Sequence, residues 1–226
     1  MRYRVGAFRG GVVVTFTDFF ETTFPGVLSR ALMSSGDRHE VEDTVQDAYT
    51  EALRAWDRIA HYDSPEAWVA RVVRQRLWRS AGRWRYRGPA VPGENAAWVA
   101  AQGDRGHARA RAVLTALDGL PGRQRVVIVL HCLDGLGQQE IADELGIARG
   151  VVVGSIGKGR RTLENALVDP GSRRPLSAGS ALPEAVSDPL ADVLAATERW
   201  WADRVAADSR ARERLLRAIV SRSVRG

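Results

Sequence analysis

The sequence predicts an all-α protein with two small helical domains joined by a flexible linker and followed by a C-terminal helical extension. Apolar residues recur at three- and four-residue intervals through the long segments, the pattern of helices that bury one face. Proline and glycine cluster at Gly88, Pro89, Pro92 and Gly93, and again with serine from Pro170 to Pro189, and so divide the helical segments into groups. A length of 226 residues accommodates two domains with cores of their own. No internal repeat is visible.

Residues 1–14 read as a disordered N-terminal tail. Their apolar part is broken by Gly6, Arg9, Gly10 and Gly11, which makes a poor signal peptide. Valine codons serve as bacterial starts and Val12 to Val14 stand just before the first helix, so a start downstream of Met1 stays open.

The first domain is expected over 15–87 as three or four helices. Phe16, Phe19, Phe20, Phe24, Val27, Leu28, Ala31 and Leu32 give its first helix a wide apolar stripe, with Pro25 expected to bend or restart it. Ser34, Ser35 and Gly36 then break the chain, and Asp37 with Glu40 forms a capping box. Val41, Val45, Ala48, Tyr49, Ala52 and Trp56 carry a second helix to about Ile59, whose other face is acidic through Glu40, Glu42, Asp43, Asp47, Glu51 and Asp57. After the loop His61, Tyr62, Asp63, the pair Ser64 and Pro65 supplies an N-cap and a first-turn proline for a third helix. Trp68, Val69, Val72, Val73 and Leu77 face the core, and Trp56 and Trp68 read as core residues. From Arg71 to Arg87 arginine stands at 71, 74, 76, 79, 83, 85 and 87 with no acid, interleaved with Trp78, Trp84 and Tyr86. Arginines for phosphates beside aromatic rings for unstacked bases suit single-stranded nucleic acid. For Trp78 and Trp84, packing against the first helix is an equal alternative. An acidic surface fit for a basic protein partner beside a basic aromatic surface suggests an adaptor between a protein machine and DNA.

A linker is expected over 88–106, with Trp98 as an anchor onto one domain. The second domain, 107–168, reads as four helices separated by glycine or proline. Its last two, from about Gln138 to Leu145 and from Arg149 to Leu167, are joined by Gly146, Ile147 and Ala148 and pack through Ile141, Ala142, Leu145, Val152, Ile156 and Leu163, the spacing of a helix-turn-helix. A second linker follows over 169–189. The extension, 190–226, carries two apolar stripes, Leu190, Val193, Leu194, Thr197, Trp201 and Val205, then Leu215, Leu216, Ile219 and Val220. Of Trp200 and Trp201, one is expected in the core and one partly exposed.

A net charge of +6 and a pI near 10.3 fit either nucleic acid or an anionic membrane, and the clustering of arginine favours nucleic acid. No apolar run reaches the roughly 18 residues of a membrane span, so no membrane insertion is expected. Cys132, the single cysteine, lies in an apolar helical context and reads as a buried inert thiol in a reducing, cytoplasmic setting. His39, His61, His107 and His131 show no metal-ligand spacing with it or one another. Gly157 and Lys158 resemble part of a phosphate-binding loop, but Val152 stands where the first glycine belongs and Gly159 where Ser or Thr must hold magnesium. No nucleophile and base pair is evident, so no cofactor and no enzymatic activity is expected.

The order of these parts, over about 16–167, resembles the extracytoplasmic-function (ECF) group of the bacterial sigma-70 family of RNA polymerase sigma factors. The resemblance rests on EDTVQDAYTEALRAWDRI followed by SPEAWVARVV, and on LPGRQRVVIVLHCLDGLGQQEIADELGI followed by the helix starting at Arg149. It implies that the first domain is region 2, with Asp43, Gln46 and Asp47 at the positions that dock on the clamp helices of the polymerase largest subunit. It implies that His61, Tyr62 and Asp63, with Arg71, Arg74, Gln75, Trp78, Arg79 and Arg83 behind them, open the minus-ten element and hold its non-template strand. The second domain would be region 4, placed at the polymerase flap, with Gln138, Gln139, Arg149, Val153, Ser155, Lys158, Arg160 and Arg161 toward the minus-thirty-five element. Core RNA polymerase, promoter DNA and an anti-sigma factor are the implied partners. The alternative is a helix-turn-helix transcriptional regulator that contacts polymerase or other proteins without initiating.

The last helix departs from that pattern. Relatives carry polar or basic residues in its middle, whereas this chain has Val151, Val152, Val153, Gly154, Ser155 and Gly157. Gly154, Gly157 and Gly159 together forgo about 3 kcal/mol of helix preference, and the departure favours positional over base-specific binding. The extension lies outside the pattern; holding the domains inactive, contacting another protein and capping the second domain all stay open.

Overall fold

Thr15 sets where the first helix starts. Its hydroxyl accepts from the Asp18 amide at 3.1 Å while the Asp18 carboxylate accepts from the Thr15 amide at 3.2 Å. The computed structural model describes residues 6–9, 12–83, 108–167 and 188–224. Ahead of the cap, β1 (Gly6–Arg9) and β2 (Val12–Thr15) pair antiparallel, with Gly6 opposite Thr15 and Arg9 opposite Val12. A disordered tail was expected there; the β-branched run Val12 to Val14 suits the extended chain. From the cap, α1 (Phe16–Ser34) runs through Pro25 without restarting. Phe24, Pro25 and Leu28 are all buried, so packing on both sides of the proline offsets the backbone hydrogen bond it removes.

The second helix, α2 (Arg38–Arg54), starts where the Asp37 carboxylate accepts from the Glu40 amide at 2.9 Å. It stops at Ala55, and a single turn, α3 (Trp56–Ile59), follows where one continuous helix was expected. The break places Trp56 edge-on against Phe16, with ring centroids 5.4 Å apart, and 4.8 Å from the Phe19 ring. Tyr49, buried beside Phe20, has its hydroxyl 2.8 Å from that of Thr23. The next helix, α4 (Pro65–Arg83), is capped by the Ser64 hydroxyl, which accepts from the Ala67 amide at 3.1 Å. Together α1, α2 and α4 form the first bundle.

The second half comprises α5 (Ala108–Asp118), α6 (Gly122–Cys132), α7 (Gln138–Leu145) and α8 (Arg149–Leu167). The extension is two helices, α9 (Pro189–Ala207) and α10 (Ser209–Val224). The cores do not separate as the sequence suggested. One apolar cluster runs from Phe20, Tyr49 and Trp56 of the first half through Leu114, Leu117 and Ile128 of the second to Leu194, Trp201 and Ile219 of the extension. A smaller cluster beneath α7 and α8 takes in Trp78 from α4. The linkers expected at 88–106 and over most of 169–189, with Trp84, Tyr86 and Trp98, lie outside the described residues, as does the side chain of Arg83.

The glycines of α8 differ in kind. A Cβ on Gly159 would stand 2.6 Å from Ile128 Cγ1 and 3.0 Å from its Cδ1, so the absent side chain is what lets α8 approach α6. Gly154 and Gly157 have nothing within 4 Å of such an atom. Gly154→Ala and Gly157→Ala are each expected to stabilise the chain by about 1 kcal/mol in urea titrations. Gly159→Ala should do the opposite, because overpacking of about 1–3 kcal/mol outweighs that gain. A common sign across the three variants would contradict the assignment.

Candidate functional site

Around α2, at about 100° per residue, the stripe Val41, Val45, Ala48 and Ala52 faces the core and the acids face away. Asp43 is exposed, and Asp47 lies between two cations, 3.9 Å from Arg76 Nη1 of α4 and 2.9 Å from Arg222 Nη1 of α10. Arg76 also pairs with Glu51 at 2.7 Å. Gln46 and Thr50 are buried although they stand well round the helix from the core stripe, next to the edge where Arg54 donates to the Arg222 carbonyl at 2.8 Å. So α2 is covered on two sides, by its own bundle and by the last helix of the chain.

The loop before α4 is open. His61 and Asp63 are exposed, with His61 Nδ1 2.7 Å from the Asp57 carbonyl, while Tyr62 packs part-buried against the core. On α4 itself, Arg71, Gln75 and Arg79 follow one another at four-residue spacing along one face, the two arginines exposed and Gln75 half-buried. Two other residues expected to face nucleic acid are turned to the second half. Arg74 binds Glu144 through Nε at 2.7 Å and lies 3.5 Å from Asp134, and Trp78 is buried in the smaller core with Arg123 stacked on its ring at 4.9 Å. Asp134 also holds Arg30 at 3.1 Å, yet burial still pushes its carboxyl above the usual range.

In the helix-turn-helix, Gly146 ends α7 in the left-handed conformation at φ 66°, where a side chain would be strained. The Ile147 amide then bonds the Ala142 carbonyl at 3.0 Å, and α8 begins two residues on. Ile141, Leu145, Val152 and Ile156 are buried between the two helices. Gln138 accepts from Arg149 at 3.1 Å, and Gln139 donates to Asp143. Val153, Lys158 and Arg161 are exposed, Ser155 half-buried. Val151 and Val153 are 54% and 44% exposed on the outer side of α8. Arg160 is instead taken by Asp188, the N-cap of α9, at 2.7 Å.

The Arg160 hydrogen bond, more than any other influence, holds the Asp188 carboxyl below its ordinary value of 3.8. A depressed carboxyl contributes stability above its unfolded value and loses it as pH falls through the folded one, so this pair should hold above pH 3.8 and open in more acidic solution. Nearby, Glu164 lies 3.8 Å from Arg160, and desolvation pushes the thiol of Cys132, half-buried where a buried thiol was expected, up to about 11. Following the Leu190 amide by NMR should show its change below pH 3.8 in the native chain and none in Asp188→Asn.

The sequence reading missed three contacts: Arg222 on Asp47, Asp188 on Arg160, and the α6–α8 approach at Gly159. The first had a signal in the opposite charge of α2 and α10; the other two had none.

The helix-turn-helix and the acidic-then-basic bundle ahead of it each match a family model. The model for Sigma-70 region 2 covers residues 19–88, and that for Sigma-70, region 4 covers residues 110–163, together more than half of the chain. The chain belongs to the sigma-70 family of RNA polymerase sigma factors, in the two-domain form. No curated relative matches it. Region 2 therefore holds α1 to α4 and region 4 runs from α5 into α8, while α9 and α10 of this sigma factor lie beyond both matches. No described helix is long and apolar enough to cross a membrane.

Proposed function

We propose that this sigma factor is of the extracytoplasmic-function type and confers promoter specificity on core RNA polymerase. Its α2 face, with Asp43, Gln46 and Asp47, docks on the clamp helices of the largest subunit. The loop His61 to Asp63 and the α4 stripe Arg71, Gln75 and Arg79 then capture the non-template strand of the minus-ten element. Flipping a base costs a few kcal/mol, which binding to arginine and an aromatic or polar pocket can supply, so opening is thermodynamic capture without catalysis. Arg74 and Trp78 join that surface once α4 parts from region 4, and Arg83 extends it. Region 4 sits upstream with Gln138, Gln139, Arg149, Val153, Ser155, Lys158, Arg160 and Arg161 toward the minus-thirty-five element, its glycine-rich outer face favouring phosphate contacts over base reading.

The observation that carries this reading is the acidic α2 face beside the arginine stripe of α4, in one chain with a helix-turn-helix that matches region 4. Run-off transcription with purified core polymerase on pooled genomic fragments tests it. Defined start sites that depend on the protein are expected. Core binding without transcripts would replace it with a helix-turn-helix regulator that does not initiate, and a loss of core binding would remove the polymerase altogether.

A further inference from the structure

On each of the three helices that the sigma reading uses, α2, α4 and α8, some of the assigned residues are occupied by the chain itself, while the loop before α4 stays open. On α2, Asp47 is bound by Arg222, the Arg222 carbonyl takes a hydrogen bond from Arg54, and Gln46 is buried. On α4, Arg74 and Trp78 are engaged with region 4. On α8, Arg160 is held by Asp188. Two of these three occupations come from the segment beyond both family matches.

That segment is built as a clasp. Its first helix, α9, packs on α1, α5 and α6, so it touches both regions at once, and buries Leu190, Leu194 and Trp201 completely or nearly so. Glu198 on α9 accepts from the Ser29 hydroxyl at 3.1 Å and lies 3.4 Å from Arg30 Nε. Its second helix, α10, packs along α2. Ile219 is fully buried there, with Leu215 and Leu216 beside it. The charges are complementary: α10 carries Arg210, Arg212, Arg214, Arg217 and Arg222 against Glu213, while α2 carries Glu40, Glu42, Asp43, Asp47 and Glu51 against Arg38 and Arg54. A basic amphipathic helix is also the chemistry by which an external partner would recognise the acidic face of α2.

We propose that α10 is an internal competitor for the polymerase-docking face of α2, held over it by α9, so that the chain binds core polymerase only when α10 lifts. This inference rests on the sigma reading above. A helix lying along α2 and the polymerase cannot occupy the same face together, so the apparent affinity falls to the fraction of molecules in which α10 is open. The separation of α4 from region 4 that frees Arg74 and Trp78 is opposed by the same clasp, because α9 grips both regions.

The test uses the full chain and two substitutions in α10, outside the residues assigned to polymerase or DNA. Arg222→Glu sets like charges face to face with Asp47, and Ile219→Asp places a carboxylate in the apolar seat of α10. Hydrogen exchange across 209–224 shows whether α10 has lifted, thermal melts show that the remainder is folded, and core polymerase binding is titrated by fluorescence anisotropy. Lifting a segment that is closed in about 99% of molecules would tighten binding up to about 100-fold. Ile219→Asp is expected to bind core polymerase at least about tenfold more tightly than the native chain and Arg222→Glu about threefold, with faster exchange in 209–224 for both. A peptide of sequence 209–224 added in trans should reverse the gain. If α10 lifts and binding is unchanged, the masking role is wrong while the sigma reading stands. If α10 lifts and no form binds core polymerase, the sigma reading fails and the masking role fails with it.

Discussion

Arg125→Ala is expected to destabilise the chain by about 3–5 kcal/mol, the cost of leaving one member of a buried ion pair behind. Arg125 is only 3% exposed, its Nη2 lies 3.0 Å from Asp118 Oδ1, and its Nε donates to the Leu117 carbonyl at 2.6 Å. It thereby ties the end of α5 to the start of α6 across Gly119, Leu120 and Pro121. Burial pulls the guanidinium below its ordinary range, but arginine stays charged, so the removal strands the Asp118 carboxylate. Arg125→Met separates charge from volume: it fills the space and should still lose most of the same stability. The double variant Arg125→Met with Asp118→Asn should recover much of it, because replacing both partners can be nearly neutral. Urea titrations of the three proteins decide, and a loss under about 1 kcal/mol for Arg125→Met would mean that the pair is solvated in practice.

Arg125 also shows where sequence reasoning stopped. In RQRVVIVL, Arg123 and Arg125 are alike in type and stand about 200° apart round one helix; which of the two faces is inward, toward an acid seven residues earlier, and which lies against Trp78 is set by packing across the turn and against α4. Local signals were legible because they act within one helical turn. The Asp37 and Ser64 caps, the α7–Gly146–α8 turn, the buried stripes of α2 and α8 and the contrast of buried Trp201 with part-buried Trp200 follow from residue type and period alone. The break at Ala55 did not, since nothing in LRAWDR says that Trp56 has a place to go between Phe16 and Phe19. Pro25 misled for the same reason: its propensity cost is local and the packing that overrides it is not. At the candidate site, charge patterning located α2 and the α4 stripe, whereas the turning of Arg74 and Trp78 toward region 4 depends on contacts across dozens of residues that no period encodes. The three glycines of α8 count the same in sequence, and only the distance to Ile128 separates Gly159 from the others.

Trp201→Ala is expected to remove about 3–5 kcal/mol of packing, the range for emptying a buried aromatic site. Trp201 is fully buried on α9, and the ring of its neighbour Trp200 carries Arg204 at 4.7 Å on the outer side. How that loss is distributed is more informative than its size. The first bundle keeps Phe16, Phe20, Tyr49 and Trp56 buried among themselves, and region 4 keeps Arg125, Asp118 and the cluster beneath α7 and α8. Each has interior contacts that do not involve α9. The chain can therefore relieve the cavity by letting α9 and α10 leave, which costs less than unfolding either region. Hydrogen exchange should then rise across 189–224 at low denaturant while the buried turns of α1, α2 and α6 retain their protection. Trp201→Phe, which keeps most of the ring, should show a smaller rise. If instead all helices of Trp201→Ala lose protection together, α9 is an integral part of one cooperative core, and the clasp could not open without unfolding the sigma regions it covers.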